Sequence, residues 1–284
     1  MTTHIITLPD GRELAYEEYG DPRDTPVLSF HGGLSSRLDA APADAAALEL
    51  GVRLLSPDRP GMGRSSIQPG RTLLDWPADV AALADHLGLE HFAVMGWSCG
   101  GAYAAVCAAR LPERVTAVAL LSSAVPLDQF GSSRGLTTDD RLLLFLTRRA
   151  PLLASAVMRF FIGDASDARL FKELARSFPA VDRAVLKAQP PAEAVAFVKE
   201  SMRHGTAGCL QDYRIFGASW GFDLDQIQAP VQIWEGTDDH TGPPEYRQFL
   251  QAHIPHATVH LVPDEGHLSL LPHHAAAILE GLLA

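Results

Sequence analysis

The sequence lacks the features that mark membrane, secreted and nucleic-acid-binding proteins. No run of about 18 uncharged apolar residues occurs, so we expect no transmembrane span. The opening residues, MTTHIITLPDG, lack the charged segment and the long apolar stretch of a secretory signal. There is no basic tract, and a formal net charge of −11 disfavours nucleic acid or an anionic membrane as a partner. We therefore expect a cytoplasmic protein.

Cysteine is also scarce. The three cysteines are Cys99, Cys107 and Cys209. Their odd number and the lack of CxxC spacing argue against a disulfide framework and a cysteine zinc site. His253, His256 and His260 are close in sequence, but they run from a predicted helix end into a strand and do not share one ligand face. We expect no metal site.

The sequence alternates between predicted strands and predicted helices. Its apolar residues, 47% of 284, are enough for a large core. Apolar β-branched runs alternate with Ala- and Leu-rich stretches, as in parallel strands joined by helices. The pattern predicts strands at 3–8, 13–18, 26–30, 52–56, 91–96, 116–122, 230–235 and 258–262. It predicts helices at 37–50, 73–88, 100–111, 244–253 and 270–283. The Asp-Gly pair of LPDG predicts a hairpin between the first two strands.

The alternation of strands and helices stops after the sixth predicted strand. Residues 126–225 have helical periodicity, and Thr138 or Asp139 is the expected N-cap of the segment DRLLLFLTRRA. The strand-helix pattern resumes at APVQIWEG. We therefore predict a core of residues 1–125 and 226–284 that is interrupted by a helical insertion, not two domains in tandem.

Ser98 is the candidate nucleophile. In HFAVMGWSCGGAYAAVCAARL an apolar strand ends at Met95 or Gly96, and an Ala-rich helix begins near Gly100. A serine on such a turn is held in a strained conformation with its hydroxyl clear of the sheet. A serine hydroxyl is a weak nucleophile unless a base, an orienting acid and oxyanion donors surround it. The alternative is a serine that only caps the helix.

The base and the acid are expected at the ends of later strands. His267, in HLVPDEGHLSL, follows the last predicted strand and precedes the last helix, so its loop can reach the sheet edge where Ser98 emerges. The loop after the preceding strand, in VQIWEGTDDHTGPP, carries Asp238 and Asp239. The spacing Gly-x-x-Asp favours Asp239 as the acid, with Asp238 as a turn residue.

Backbone N–H groups are the expected oxyanion donors. In PVLSFHGGLSS, Gly33 follows an early apolar strand, and its N–H can pair with that of Cys99. Gly33 can alternatively serve only a tight turn. We expect the neighbouring residues Gly32 and Trp97 to contact the substrate.

These residues together resemble the α/β-hydrolase fold family. The order Ser98, Asp239, His267 is that family's order, HGG resembles its oxyanion motif, and SPDRPGMGRSS resembles its loop after the fourth strand. WGFDLDQIQAPVQIWEGTDD resembles the return from cap to core in bacterial members. The resemblance covers residues 1–125 and 226–284. It implies a mostly parallel eight-stranded sheet flanked by helices, with a helical cap at 126–225 inserted after the sixth strand.

The resemblance implies a serine hydrolase that acts on a small-molecule carboxylic ester and needs no cofactor. Relatives that dehalogenate or open epoxides carry an aspartate as nucleophile, so Ser98 favours acyl chemistry. The other acid position known in the family, after the sixth strand, holds Ser122 and Ser123 and offers no rival to Asp239.

Other activities on this fold remain open. A proline-iminopeptidase-like enzyme needs acidic cap residues for a substrate amino group, and Glu193, Glu200 and Asp212 are available. Lactone hydrolysis, carbon-carbon bond hydrolysis, perhydrolysis and a non-catalytic small-ligand receptor also fit the pattern. A substrate carboxylate is another option, with Arg148, Arg149 and Arg159 as its partners. The oligomeric state, a homodimer included, stays open.

Overall fold

A computed structural model describes residues 3–131 and 136–284, and eight strands form one sheet in it. They are β1 His4–Thr7, β2 Glu13–Gly20, β3 Thr25–Phe30, β4 Val52–Pro57, β5 Phe92–Trp97, β6 Val115–Leu121, β7 Val231–Gly236 and β8 Thr258–Val262. All eight predicted strands are confirmed, with ends that differ by at most two residues.

The order of the strands in the sheet is β1-β2-β4-β3-β5-β6-β7-β8. The pairs β1–β2 and β2–β4 are antiparallel, and every other pair is parallel. The predicted hairpin joins β1 to β2, and Gly11 adopts a φ of 86° in its turn. From β3 the chain continues to β4 on one side and then crosses to β5 on the other side. The position between β3 and β5 is therefore a topological switch point, where open α/β sheets bind ligands.

Five helices cover the two faces of the sheet. They are α1 Asp44–Leu50, α2 Trp76–His86, α3 Gly100–Arg110, α12 Pro244–His253 and α13 Leu270–Leu283. One apolar cluster holds α2, α3 and α12 against one face, and a second holds α1 and α13 against the other. The predicted helix at 37–50 begins as a 3-10 helix, Arg37–Ala43, because Pro42 lacks the N–H that a continuous α-helix needs.

The described residues between β6 and β7 form a series of helices, as the periodicity predicts. Its helices are α4 Leu127–Phe130, α5 Thr138–Arg149, α6 Pro151–Met158, α7 Asp167–Ser177, α8 Ala180–Lys187, α9 Pro191–Ala194, α10 Ala196–Ser201 and α11 Ala207–Phe216. The N-cap of α5 is Thr137, not Thr138 or Asp139, because the Thr137 hydroxyl accepts the N–H of Asp140. Within the described ranges, no helix is long and apolar enough to cross a membrane.

Candidate active site

Ser98 lies on the turn that joins β5 to α3. Its φ of 55° is in the left-handed region that non-glycine residues rarely adopt. The turn is tight enough to exclude side chains on both sides, since a Cβ on Gly96 would lie 2.2 Å from the Gly100 carbonyl oxygen. A Cβ on Gly100 would lie 1.9 Å from the carbonyl oxygen of Phe30 in β3. The glycines therefore allow a strained turn whose single hydroxyl is that of Ser98.

His267 and Asp239 form a buried pair at the same edge of the sheet. Asp239 follows β7 and His267 follows β8, and the His267 Nδ1 to Asp239 Oδ2 distance is 2.8 Å. The other oxygen, Asp239 Oδ1, accepts the N–H of Thr241 at 2.8 Å. Because an ionised carboxylate only accepts hydrogen bonds, Nδ1 carries the ring proton and Nε2 is left with a lone pair. Asp238 is exposed, and its side chain accepts a hydrogen bond from the Thr237 hydroxyl.

Each member of the pair shifts the pKa of the other. Burial raises the pKa of Asp239, but the positive charge and hydrogen bond of His267 outweigh it and lower that pKa to about 2. Burial lowers the pKa of His267, but the Asp239 carboxylate outweighs it and raises that pKa above its ordinary 6.5. Asp239 is therefore ionised at neutral pH and holds the ring in one tautomer.

Two aromatic rings hold the imidazole in place. Trp97 lies at 5.0 Å from the His267 ring centre, and its Nε1 donates to the His267 carbonyl oxygen at 3.0 Å. Phe178, from the chain just before α8, stacks on His267 at 6.2 Å. Ser98 and His267 line the same cavity, and within residues 3–131 and 136–284 they share no hydrogen bond. Such bonds are often long in unliganded enzymes and tighten when substrate binds.

Two N–H groups without partners lie next to Ser98. In the described part of the chain, the backbone N–H groups of Gly33 and Cys99 donate to no protein acceptor. A Cβ on Gly33 would lie 3.0 Å from the Cys99 sulfur, so the two residues are in contact, and both line the cavity. Burial raises the pKa of the Cys99 thiol to about 12, so the thiol is neutral. This pair of N–H groups is suited to a developing oxyanion.

The neighbouring N–H of Gly32 is already occupied. It donates to Asp39 Oδ2 at 2.9 Å, and that oxygen also accepts the Ser35 hydroxyl at 2.8 Å. Gly32 packs on Trp97, since a Cβ there would lie 2.7 Å from the indole ring. Trp97 itself lines the cavity, and contact of either residue with substrate stays a prediction.

A buried ionic cluster supports the oxyanion loop from behind. The Arg59 guanidinium donates to the carbonyl oxygens of His31 and Gly32. Arg59 Nε donates to Asp212 Oδ2 at 2.8 Å, and Asp212 Oδ1 accepts from Arg71 and from the Tyr103 hydroxyl. All four ionic and phenolic side chains are buried. Asp212 belongs to α11, so the insertion takes part in holding this core loop.

The cavity at Ser98 is about 370 Å³ and mostly apolar. Core residues at the strand ends form its floor, and the helical insertion supplies much of its wall. The insertion contributes Leu144, Leu170, Leu174, Phe178, Phe197 and Phe216. A second cavity of about 410 Å³ lies on the far side of Trp97, Phe197 and His267, and Asp39 and Glu193 line it.

Some residues considered for substrate binding lie elsewhere. Arg148 and Arg149 are exposed and do not line either cavity. Arg159 is exposed beside Asp164. Within the described ranges, no group of three or more His, Cys, Asp or Glu side chains is arranged to hold a metal ion.

The sequence did not point to the supporting residues. Asp39, Phe178 and Asp182 contact the oxyanion loop or the histidine loop, and no motif marks them. Arg59 lies in the loop after β4 that the resemblance covered, which is the one available sign of it. Asp212 was considered for a substrate amine, but two arginines already pair with it.

Comparison with known proteins agrees with this fold. The family profile for the alpha/beta hydrolase fold matches residues 25–274. An uncharacterized hydrolase of Bacillus subtilis is 28% identical over 282 residues, which cover 96% of each chain. A bifunctional esterase/perhydrolase of Acinetobacter calcoaceticus is 37% identical over 123 residues, so the match spans 43% of this chain and only 44% of that protein.

Solved structures show the same fold along the whole chain. An esterase from Exiguobacterium antarcticum superposes with a TM-score of 0.74 at 18% identity and covers 99% of both chains. At that identity the likeness concerns the fold. With the strand order, the turn at Ser98 and the match over residues 25–274, the chain belongs to the alpha/beta hydrolase fold family.

Proposed function

We propose that this protein is a serine hydrolase that cleaves a small-molecule carboxylic ester through an acyl-enzyme intermediate. One observation carries the proposal: Ser98, at a φ of 55°, lines the same cavity as the buried His267–Asp239 pair. The esterase relatives support it. Cytoplasmic location and a homodimer stay predictions.

In the proposed mechanism, His267 Nε2 takes the Ser98 proton as Oγ attacks the ester carbonyl. Asp239 keeps the proton on Nδ1 and stabilises the imidazolium that forms. The N–H groups of Gly33 and Cys99 donate to the oxyanion. The imidazolium then protonates the leaving alcohol, and water attacks the acyl-enzyme with His267 again as base. No step requires a metal or an organic cofactor.

We also propose that residues 126–225 act as a cap that selects the acyl group. Leucine and phenylalanine side chains from this segment line the cavity at Ser98. An apolar wall favours an alkyl or aryl group over a charged one, because a buried charge without a partner costs free energy. The core would then be residues 1–125 and 226–284.

The proposal is tested with p-nitrophenyl esters from acetate to laurate, beside a prolyl anilide. We expect steady-state ester hydrolysis with kcat/KM highest at one acyl length, because a cavity of about 370 Å³ fills at a finite chain length. The anilide is expected to be a poor substrate. Turnover of the anilide alone would make the protein an aminopeptidase, and slow labelling of Ser98 without any turnover would indicate a receptor.

The structure favours the ester over a substrate with a free amino group. Glu200 pairs with Arg37 at 2.8 Å, and Asp212 pairs with Arg59 and Arg71. These two carboxylates are therefore already neutralised. Asp212 lines the cavity at Ser98, but its charge is taken up by the two arginines, and Glu193 lines the second cavity.

The pH dependence follows from the His267–Asp239 pair. The base must be neutral, so kcat/KM is expected to rise with pH through the pKa of His267. Because Asp239 raises that pKa, the midpoint is expected above the ordinary 6.5. Asp239→Asn removes the charge and is expected to move the remaining activity's midpoint to lower pH. A wild-type midpoint well below 6.5 would contradict the pairing; kcat/KM measured from pH 5 to 9 decides it.

A further inference from the structure

A carboxylate from the insertion holds the loop that carries His267. Asp182, on α8, is fully buried. Its Oδ2 accepts the backbone N–H of His267 at 2.9 Å. Its Oδ1 accepts the N–H groups of Leu268 and Ser269, each at 2.9 Å. One side chain thus binds three consecutive N–H groups directly before α13.

Within residues 3–131 and 136–284, these three backbone N–H groups are the only hydrogen-bond partners of Asp182, and no Lys, Arg or His side chain forms an ion pair with it. A buried carboxylate must find hydrogen-bond donors, and three consecutive backbone N–H groups supply them here. Asp182 is therefore built into the histidine loop and does not belong to a surface salt bridge.

Gly266 leaves the space that this carboxylate occupies. A Cβ on Gly266 would lie 2.4 Å from Asp182 Oδ1, and its N–H instead donates to Ser269 Oγ at 2.8 Å. The φ of Gly266 is not in the left-handed region, so backbone strain does not require glycine there. The glycine before His267 is explained by the approach of Asp182.

The same part of the insertion also contacts the imidazole itself. Phe178 stacks on the His267 ring with an angle of 12° between the ring planes. Phe178 thus packs on one face of the His267 ring. Asp182, four residues after Phe178 in the insertion, binds the backbone N–H of the same histidine. Misplacement of a catalytic group by about 1 Å can cost about 100-fold in rate.

We propose that Asp182 is a positioning residue for His267, and that it makes the insertion part of the catalytic apparatus and not a lid that leaves the core. The inference rests on the proposed function, in which His267 is the base. A movement of α8 and the preceding Phe178 away from the core would break the three hydrogen bonds of Asp182. It would also remove the aromatic contact with the His267 ring.

The test compares wild type with Asp182→Asn, which keeps the size of the side chain but turns an N–H₂ group toward one of the three N–H donors. We expect kcat on the preferred p-nitrophenyl ester to fall about 10- to 100-fold with KM within twofold. We also expect a lower His267 pKa, read by NMR of its ring, because Asp182 is one of three carboxylates, with Asp239 and Asp140, that raise it. Glu173→Gln, at an exposed position of α7 that does not line the cavity, is the control and should match wild type.

A second variant keeps the test decisive if Asp182→Asn does not fold. Gly266→Ala is expected to lower kcat in the same way, and adding Asp182→Ala should make the alanine at 266 less harmful because the clashing carboxylate is gone. Asp182→Asn with kcat within twofold of wild type, or with an unchanged His267 pKa, would overturn the inference. Absence of ester turnover in wild type would instead overturn the proposed function, and the NMR titration would still test Asp182.

Discussion

Replacing Ser98 with alanine is expected to lower kcat on the preferred ester by about 10⁴-fold or more, since removal of a serine nucleophile in comparable triads has effects up to about 10⁶. Without Oγ no acyl-enzyme forms, and His267 has no hydroxyl to deprotonate. The two N–H donors of Gly33 and Cys99 remain, so a small residual rate is expected. The measurement is initial rate against protein concentration.

The fold of Ser98→Ala is expected to be intact. The Ser98 side chain lines the cavity and interacts with the Cys99 thiol, so its removal costs one weak hydrogen bond to sulfur. The strained φ of 55° is a property of the turn and remains with alanine. Ser219→Ala, at an exposed serine outside the cavity, is the matched control and should keep wild-type kcat. A Ser98→Ala enzyme with more than a tenth of wild-type kcat would exclude Ser98 as the nucleophile.

Removing the Asp212 carboxylate is expected to give the largest loss of stability. Asp212 binds Arg59 and Arg71, and all three side chains are at most 3% exposed. Without it two buried guanidinium groups lack their anion, and breaking a buried pair in this way costs about 3–5 kcal/mol of unfolding free energy. Asp212→Asn is the variant of choice because it keeps the volume, and urea denaturation is the measurement.

The matched control is Asp167→Asn, whose carboxylate is half exposed and 4.0 Å from Lys199. Its unfolding free energy is expected to change by less than about 1 kcal/mol. Burial raises the pKa of Asp212, but the charges of Arg59 and Arg71 outweigh it and lower that pKa to about 2. The contribution of Asp212 to stability is therefore present above the unfolded pKa of about 4 and is lost as pH falls toward 2. An Asp212→Asn protein as stable as the control would contradict the role given to this cluster.

The sheet and the residues at its edge were predictable because both depend on local patterns. Apolar β-branched runs define strands, and parallel strands bring their carboxyl ends to one edge. Ser98, Asp239 and His267 each follow a strand at that edge, so sequence order alone was enough to group them. The location of Gly33 near Ser98 was predictable for the same reason, because Gly33 follows β3 and β3 pairs with β5.

The contacts between the insertion and the core were not predictable. Asp182 binds a loop 85 residues away, and Asp212 binds Arg59 across 153 residues. Neither aspartate differs in local sequence from an exposed helical acid, and only the packing of the insertion on the core distinguishes them. The predicted start of α5 was wrong by one or two residues. Two threonines are adjacent there, and Thr137 is the one that caps the helix.

In the proposed function, the His267–Asp239 pair activates Ser98 as a nucleophile. The most direct test is reaction with a fluorophosphonate, followed by intact-mass and peptide-mass measurement on wild type, Ser98→Ala and Ser219→Ala. We expect one adduct per chain, on the peptide that contains Ser98, in wild type and in Ser219→Ala. We expect no adduct in Ser98→Ala. A stoichiometric adduct at another residue, or an unlabelled wild type, would contradict it.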